Sequence, residues 1–319
     1  KFAQKSFLFL SAFLVISYFL NMLYTNVILS NSVIFRTERQ FESVKQDVRI
    51  LGIGDSHIKY GLHAEYLETS FVIANAAENY IQTYYKLNSY FDDGSLDLAL
   101  IIMPIDLHSF SSYGKERFEN LEFWKKFLNY QELAIQNRDL PRFFNLWLRG
   151  EFVFIGGIVE TLELIQVNSN EKSVSELVSG YQPKDGDFGE FGKKGELAAL
   201  RVDYHLRGSN ALDPELLDYF FRILALAREN NVQVVLVRFP VTAEYYSSAM
   251  ALPSISDHYE NLDLMLAQNG FGSLPILNYH DIFWGQSNLF ADSDHLNEQG
   301  AILFTQIVKG DLDEFGLLP

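Results

Sequence analysis

Cysteine is absent from all 319 residues. That excludes disulfides, thiolate metal ligands and a cysteine nucleophile. No H-E-x-x-H or comparable ligand spacing occurs, so no catalytic metal and no other cofactor are expected. Basic residues are scarce: 25 Lys and Arg stand against 41 Asp and Glu, a net charge of −16. Lys1 and Lys5 are the only charges before Arg36, so the remainder carries −18. So acidic a chain is a poor nucleic-acid binder. It should also keep clear of anionic headgroups except beside an anchor. Charge is missing altogether from the 23 residues Phe7 to Leu29. At about 1.5 Å per residue this run can cross a hydrocarbon core of roughly 30 Å. No small-residue A-x-A cleavage site follows, so it reads as a retained signal anchor, with a buried core helix as the alternative. Arg36 and Arg39 beyond the run blunt the positive-inside comparison. The expectation is a single-pass protein of the cell membrane with its large part outside the cytoplasm. Residues 1–30 would be the anchor, 31–47 a polar juxtamembrane linker or short helix, and 48–319 one large domain.

Two short stretches carry chemistry. Val48 to Ile53 is an apolar run rich in β-branched residues and reads as a buried strand. Gly54 breaks it, and Asp55 and Ser56 follow. A serine between a strand's C-terminal end and a helix faces the crevice where open α/β sheets bind ligands. Backbone N–H groups in such a turn can hold an oxyanion. Serine needs a histidine base, itself oriented by a carboxylate. Asp292-Ser293-Asp294-His295 supplies both. On a helical turn Asp292 and His295 would share a face, letting Asp292 orient Nδ1 while Nε2 faces Ser56. Asp294 is the alternative orienter. His57 is a poor candidate for the base, because adjacent side chains point apart. The plainer reading is that Asp55 and Ser56 cap a helix and that His295 is an ordinary surface histidine. A serine could do both.

Gly54-Asp55-Ser56 and Asp292-x-x-His295 together resemble the first and last blocks of the SGNH (GDSL-type) hydrolase superfamily. The resemblance implies a three-layer, flavodoxin-like α/β fold with a parallel sheet of about five strands in the order 2-1-3-4-5. It also implies a catalytic set of Ser56, Asp292 and His295. The middle blocks depart from the superfamily. Where it has an oxyanion-binding glycine, this chain reads Asn75-Ala76-Ala77-Glu78-Asn79, so Ala77 is the positional candidate and Asn79 the alternative donor. Where it has G-x-N-D, this chain reads Pro104-Ile105-Asp106-Leu107-His108. Asp106 then stands in the place of an oxyanion-donating asparagine, and an ionised carboxylate there would repel the oxyanion. Either backbone groups complete the hole or Asp106 orients something else. His108 is a neighbouring candidate for a substrate contact.

The remaining pattern alternates. Strands are expected at Phe71 to Ala74, Leu98 to Met103, Val232 to Phe239 and Leu274 to Tyr279. Helices are expected at Glu78 to Phe91, from Asp213-Pro214 to about Asn230, from a Ser254 or Ser256 cap to near Gly270, and over Asn297 to Val308. This alternation argues for a parallel sheet with helices on both faces. An aromatic-rich insertion interrupts it at about 107–210, with Phe118, Phe123, Trp124, Phe127, Phe143, Phe144 and Trp147, several of them at helical spacing, which is more often core than binding surface. Arg149-Gly150 should end a helix there. Tyr181 to Gly195, interleaved with glycine, reads as a mobile loop that could shape a cleft.

One amino-terminal anchor followed by such a domain is similar to the accessory proteins of envelope acylation systems (the DltD, AlgJ and AlgX type). That narrower resemblance also rests on the F-x-D-x-x-H-L-N-x-x-G-A ending from Phe290 to Ala301. It implies acyl transfer onto an envelope polysaccharide or glycolipid, with a multi-spanning membrane-bound O-acyltransferase as partner. A membrane-tethered carbohydrate esterase and a non-catalytic polymer- or partner-binding scaffold are the competing expectations.

Overall fold

The computed structural model describes residues 2–113, 121–128, 141, 144, 147–148, 179–206, 212–253, 255 and 257–319. It contains two compact units, Lys1–Arg39 with Asn120–Val174, and Gln40–Glu119 with Ser175–Pro319.

The first unit contains α1 (Phe2–Leu23), which continues through a π-helical turn at Tyr24–Ile28 and a 3-10 turn at Leu29–Asn31. Phe7, Phe9, Val15, Ile16 and Tyr18 all face outward without protein cover. Among the described residues this is the one helix long and apolar enough to cross a membrane, by length and composition. The expected linker is mostly helical: α2 covers Val33–Val44. Phe35 meets Phe123 edge-on at 5.5 Å, and Glu38 pairs with Lys126. Phe123 and Trp124 are buried, as their spacing suggested, whereas Phe144 and Trp147 are exposed. Phe118, Phe143 and the helix end at Arg149-Gly150 lie outside the described residues.

The second unit is built on five short parallel strands: β1 (Ile50–Gly52), β2 (Ser70–Val72), β3 (Leu100–Pro104), β4 (Gln233–Arg238) and β5 (Ile276–Asn278). Their order is β2-β1-β3-β4-β5, as the resemblance implied. Both faces of a parallel sheet are covered, which is why its strands read as unbroken apolar runs. Leu100 and Ile102 join a core cluster with Ile58, Phe304 and Val308. The alternate residues Ile101 and Met103 point to the opposite face and are just as buried. Among the described residues the helices of this unit are α3 (Ser56–Gly61), α4 (Tyr80–Asp92), α5 (Lys194–Leu206), α6 (Pro214–Glu229), α7 (Ala243–Met250), α8 (His258–Gln268) and α9 (Glu298–Glu314). α4 packs on α6, α3 on α9, and α5 on α7.

Local chemistry sets the helix starts. Asn79 and Gln82 form a reciprocal capping box at α4. Asp213 caps α6 ahead of Pro214, and Asn297 caps α9. Helix α7, capped by Thr242, follows the proline that stops β4 and was not foreseen. Helix α8 begins at His258 after Asp257, which makes no side-chain cap; the expected caps Ser254 and Ser256 lie outside the described residues. The glycine-interleaved stretch departs from the expected loose loop. Tyr181 and Phe188 are buried in the core cluster, and the Phe188 N–H donates to Phe290 O at 2.8 Å.

This order places the switch point of the sheet at β1, because the connections from β1 to β2 and from β2 to β3 run in opposite directions. Open α/β sheets bind ligands at that point, beyond the C-terminal ends of the strands. Ser56 lies four residues past the end of β1.

Candidate active site

Gly54 makes the turn after β1 possible. Its φ is +138°, and a Cβ there would lie 2.7 Å from Pro104. Asp55 rather than Ser56 caps α3, its Oδ1 accepting the His57 N–H at 2.9 Å. Ser56 is the first helical residue, which leaves its hydroxyl available. That hydroxyl lies 2.8 Å from His295 Nε2.

His295 sits in a loop closed by the Phe290–Leu296 bridge, not on a helical turn. The expected three-residue juxtaposition is reached another way. Asp292 Oδ1 accepts the backbone N–H groups of Asp294 and His295 at 3.1 and 2.9 Å, so the carboxylate folds back over its own loop. His295 Nδ1 then lies 2.9 and 3.0 Å from the two Asp292 oxygens. Asp294, the alternative orienter, is farther from Nδ1 at 3.7 Å. The structure thus brings Ser56, His295 and Asp292 into one hydrogen-bonded chain.

Burial pushes the His295 imidazolium down, the charges of Asp294 and Asp292 pull it up, and Lys184 opposes them; the net direction is downward. Burial raises Asp292, but its contacts with His295 and Lys184 leave it below the usual carboxylate range. A neutral His295 that donates Nδ1–H to Asp292 presents an unprotonated Nε2 to the serine hydroxyl, the arrangement a general base needs.

Asp106 has a different task from the one its position suggested. It is buried and absent from the pocket wall. Its Oδ2 lies 2.7 Å from His57 Nδ1, and its Oδ1 accepts the Phe239 N–H at 2.8 Å. On the far side of the same ring, His57 Nε2 lies 3.7 Å from Asp294. Burial opposes charge on His57, but Asp106 and Asp294 together hold it well above the ordinary histidine value. Asp106 is correspondingly held below the carboxylate range, despite burial, by His57, His280 and His108. Asp294 is anchored by Arg201 Nε at 3.0 and 3.2 Å. Asp55–His57–His108 and His57–Asp294–His295 each bring ligand-type atoms within 4.8 Å of one another. His57 belongs to both groups.

A pocket of about 190 Å³ opens over Ser56, walled in part by Ala77, Asn79, His108, Lys184, Arg201 and His295. Ala77 adopts φ +57°, the left-handed conformation that glycine takes freely and that costs alanine about 1 kcal/mol. Neither the Ser56 nor the Ala77 N–H has an acceptor among the described residues. Asn79 lines the pocket, but its side-chain oxygen and backbone N–H are committed to the capping box. His108 Nε2 lies 3.1 Å from Asp55 Oδ2, while its Nδ1 is buried without a partner.

The turn that carries Ala77 is fastened from beneath. Lys86, fully buried, donates to Glu78 Oε2 at 2.7 Å and to Ile73 O at 2.6 Å. Glu78 also accepts from Asn75 at 3.0 Å and from Thr83 at 2.7 Å. Lys86, Lys184, Arg201 and the Asp106–His57 pair were not singled out from the sequence. Of these only Asp106 left a signal, as a departure from the expected asparagine.

No family model matches this chain, and no curated protein matches it. Distant likenesses exist among solved structures. A protein of Bacteroides fragilis NCTC 9343 assigned as an acylhydrolase is 11% identical, with 88% of this chain and 95% of that one covered and a TM-score of 0.40. A GDSL-like lipase from Bacteroides thetaiotaomicron VPI-5482 is 11% identical, with coverages of 88% and 98% and a TM-score of 0.39. A protein assigned as a platelet activating factor from Streptococcus pneumonia is 13% identical, with coverages of 92% and 96% and a TM-score of 0.39. Likenesses this remote carry no weight for the chemistry, which stands on Ser56, His295 and Asp292.

Proposed function

We propose that this chain forms an acyl-enzyme on Ser56 and passes the acyl group to a hydroxyl of an envelope polysaccharide or glycolipid. The observation that carries the reading is the chain Ser56 Oγ, His295 Nε2, His295 Nδ1, Asp292, with 2.8 Å at the first link and 2.9 Å at the last. In the forward step the Ser56 oxygen attacks an ester carbonyl as His295 takes its proton. The N–H groups of Ser56 and Ala77 receive the oxyanion, and the leaving alcohol departs with the proton from His295. In the second step an acceptor hydroxyl gives its proton to His295 and attacks the acyl-serine, and His295 returns that proton to the departing Ser56 oxygen.

Water as acceptor would make the same site an esterase. Two observations favour a sugar acceptor. Tyr60 and Tyr113 line the pocket, and such rings stack on sugar faces while offering a polar edge. Helix α1 has the length and composition of an anchor, which would keep the chain at a membrane where an acyl donor and an envelope acceptor both occur. A multi-spanning O-acyltransferase that delivers acyl groups across the bilayer is the partner this arrangement fits, with the large unit outside the cytoplasm. A non-catalytic scaffold would have no need of a serine hydrogen-bonded to an oriented histidine.

Mass spectrometry of the detergent-solubilised chain given a small activated ester, with and without oligosaccharide acceptors, separates these readings. Acylated oligosaccharide that disappears in Ser56→Ala is the expected product. Ester hydrolysis that no acceptor diverts would establish the esterase instead, and an inert wild type would leave the scaffold.

A further inference from the structure

Lys184 comes from the stretch between Tyr181 and Gly195, outside every strand and helix of the unit, yet it reaches the centre of the site. Its Nζ lies 3.0 Å from Asp292 Oδ2 and 3.3 Å from His295 Nδ1, with the Tyr60 ring beneath it at 4.9 Å to the centroid. The segment that carries it is stitched to the loop that carries Asp292 and His295. Phe188 N donates to Phe290 O at 2.8 Å, and Asn297 Nδ2 donates to Gly186 O at 3.1 Å. Gly186, at φ +137°, passes so close that a Cβ would lie 2.7 Å from Ala291 O.

The donors around Asp292 divide cleanly. Oδ1 takes two backbone N–H groups of its own loop. Oδ2 takes the ammonium of Lys184, and the two oxygens share His295 Nδ1. Because Nδ1 donates to Asp292, it cannot also accept from Lys184. Their 3.3 Å approach therefore becomes a like-charge contact whenever His295 is protonated.

His295 needs such a counterweight. Facing it are Asp292 and Asp294 from its own loop, Tyr60 and His57 from α3, and Arg201 and His205 from α5. Burial is the largest influence against protonation. Two carboxylates within 3.7 Å of one imidazole nitrogen pull the ring toward it, and a protonated Nε2 cannot accept the serine proton. Lys184 adds to the opposing side. Arg201 offsets Asp294 and is itself drawn upward by that carboxylate. Among the described residues Lys184 is the one lysine or arginine in direct ion-pair contact with Asp292, which Arg201 reaches only at longer range.

We propose that Lys184 is a positioning residue of the site: its ammonium fixes the Asp292 carboxylate against His295 and keeps His295 in the proton-accepting form. This rests on the acyl-enzyme reading above. It gives the glycine-interleaved segment a part in the chemistry as a strap that brings a cation over the carboxylate.

The test is the pH dependence of Ser56 labelling by a fluorophosphonate in the full chain, for wild type, Lys184→Met and Lys184→Arg. Removing the cation makes the imidazolium easier to form. The acidic limb of Lys184→Met should therefore move to higher pH by about 0.5 unit or more, while Lys184→Arg should return it toward the wild-type position. Thermal unfolding midpoints of the three proteins should coincide, because the Lys184 side chain is partly exposed. Wild-type labelling at Ser56 with a limb unmoved in Lys184→Met overturns this proposal alone. A wild type whose labelling does not require Ser56 overturns the acyl-enzyme reading itself. If Lys184→Met does not fold, Lys184→Gln replaces it with the same expected shift.

Discussion

Replacing His295 with alanine should lower the rate of Ser56 acylation by roughly 10⁴-fold or more, because an unassisted serine hydroxyl is a weak nucleophile. Asp292→Ala should cost somewhat less, since the imidazole remains but loses its orientation. The double variant should be no worse than His295→Ala alone, because residues that act as one unit are non-additive. The pH dependence follows from the His295 environment. Burial and Lys184 hold its folded-state value below the ordinary 6.5, against the pull of the two carboxylates. His295 acts as a base only when neutral, so the wild-type rate should rise with pH through a midpoint below 6.5 and then level off. Stopped-time labelling across pH 4 to 8 reads both effects. A His295→Ala protein that labels at the wild-type rate would remove the histidine from the mechanism.

Lys86→Met should destabilise the fold by about 3–5 kcal/mol, because it leaves the Glu78 carboxylate buried without its counter-charge. Lys86 is wholly inside the protein and donates both to Glu78 and to the backbone of Ile73. Burial already pushes Glu78 above its ordinary value, against the pull of Lys86, Thr83 and Asn75. Without Lys86 the acid would have to take up a proton or draw in water. Lys86→Met combined with Glu78→Gln should recover most of the loss, since an apolar and an amide side chain strand no charge. The thermal unfolding midpoint of the single variant should fall by roughly 10 °C, and that of the double variant by much less. Function follows stability here. The turn from Asn75 to Asn79 holds Ala77 at a positive φ, and the Lys86–Glu78 pair fastens that turn to α4 together with Thr83 and the Asn79–Gln82 capping box. The single variant should therefore also acylate slowly below its unfolding temperature.

The sheet was legible because each strand lies in a short apolar run, two of them broken at once by a turn former: Ile53 by Gly54 and Phe239 by Pro240. The strand order came from resemblance rather than spacing, since periodicity does not say which strands are neighbours. Ser56, Asp292 and His295 were legible as motif ends. Their mechanical setting was not, because a three-residue spacing suits both a helical turn and a loop folded back by its own backbone N–H groups. The Asp106–His57 pair joins residues 49 positions apart and involves Asp294 from a third segment, so only the assembled sheet reveals it. Asp106 did show in the sequence as a residue at odds with an oxyanion. Lys184 left no trace at all: interleaved glycines read as looseness, while the anchoring falls to Tyr181 and Phe188 beside them. Helix α7 was missed because Ala243-Glu-Tyr-Tyr-Ser-Ser-Ala-Met250 is only eight residues long, with two tyrosines and two serines, middling helix formers, at its centre.

Site mapping by fluorophosphonate adduct is the most direct measurement of the central claim. The detergent-solubilised chain is treated with the probe at neutral pH, digested, and the adduct located by mass spectrometry. A single covalent adduct on Ser56, absent from Ser56→Ala and from heat-denatured protein, is the result this account predicts. An adduct on another residue, or a folded wild type that the probe does not modify, would contradict it.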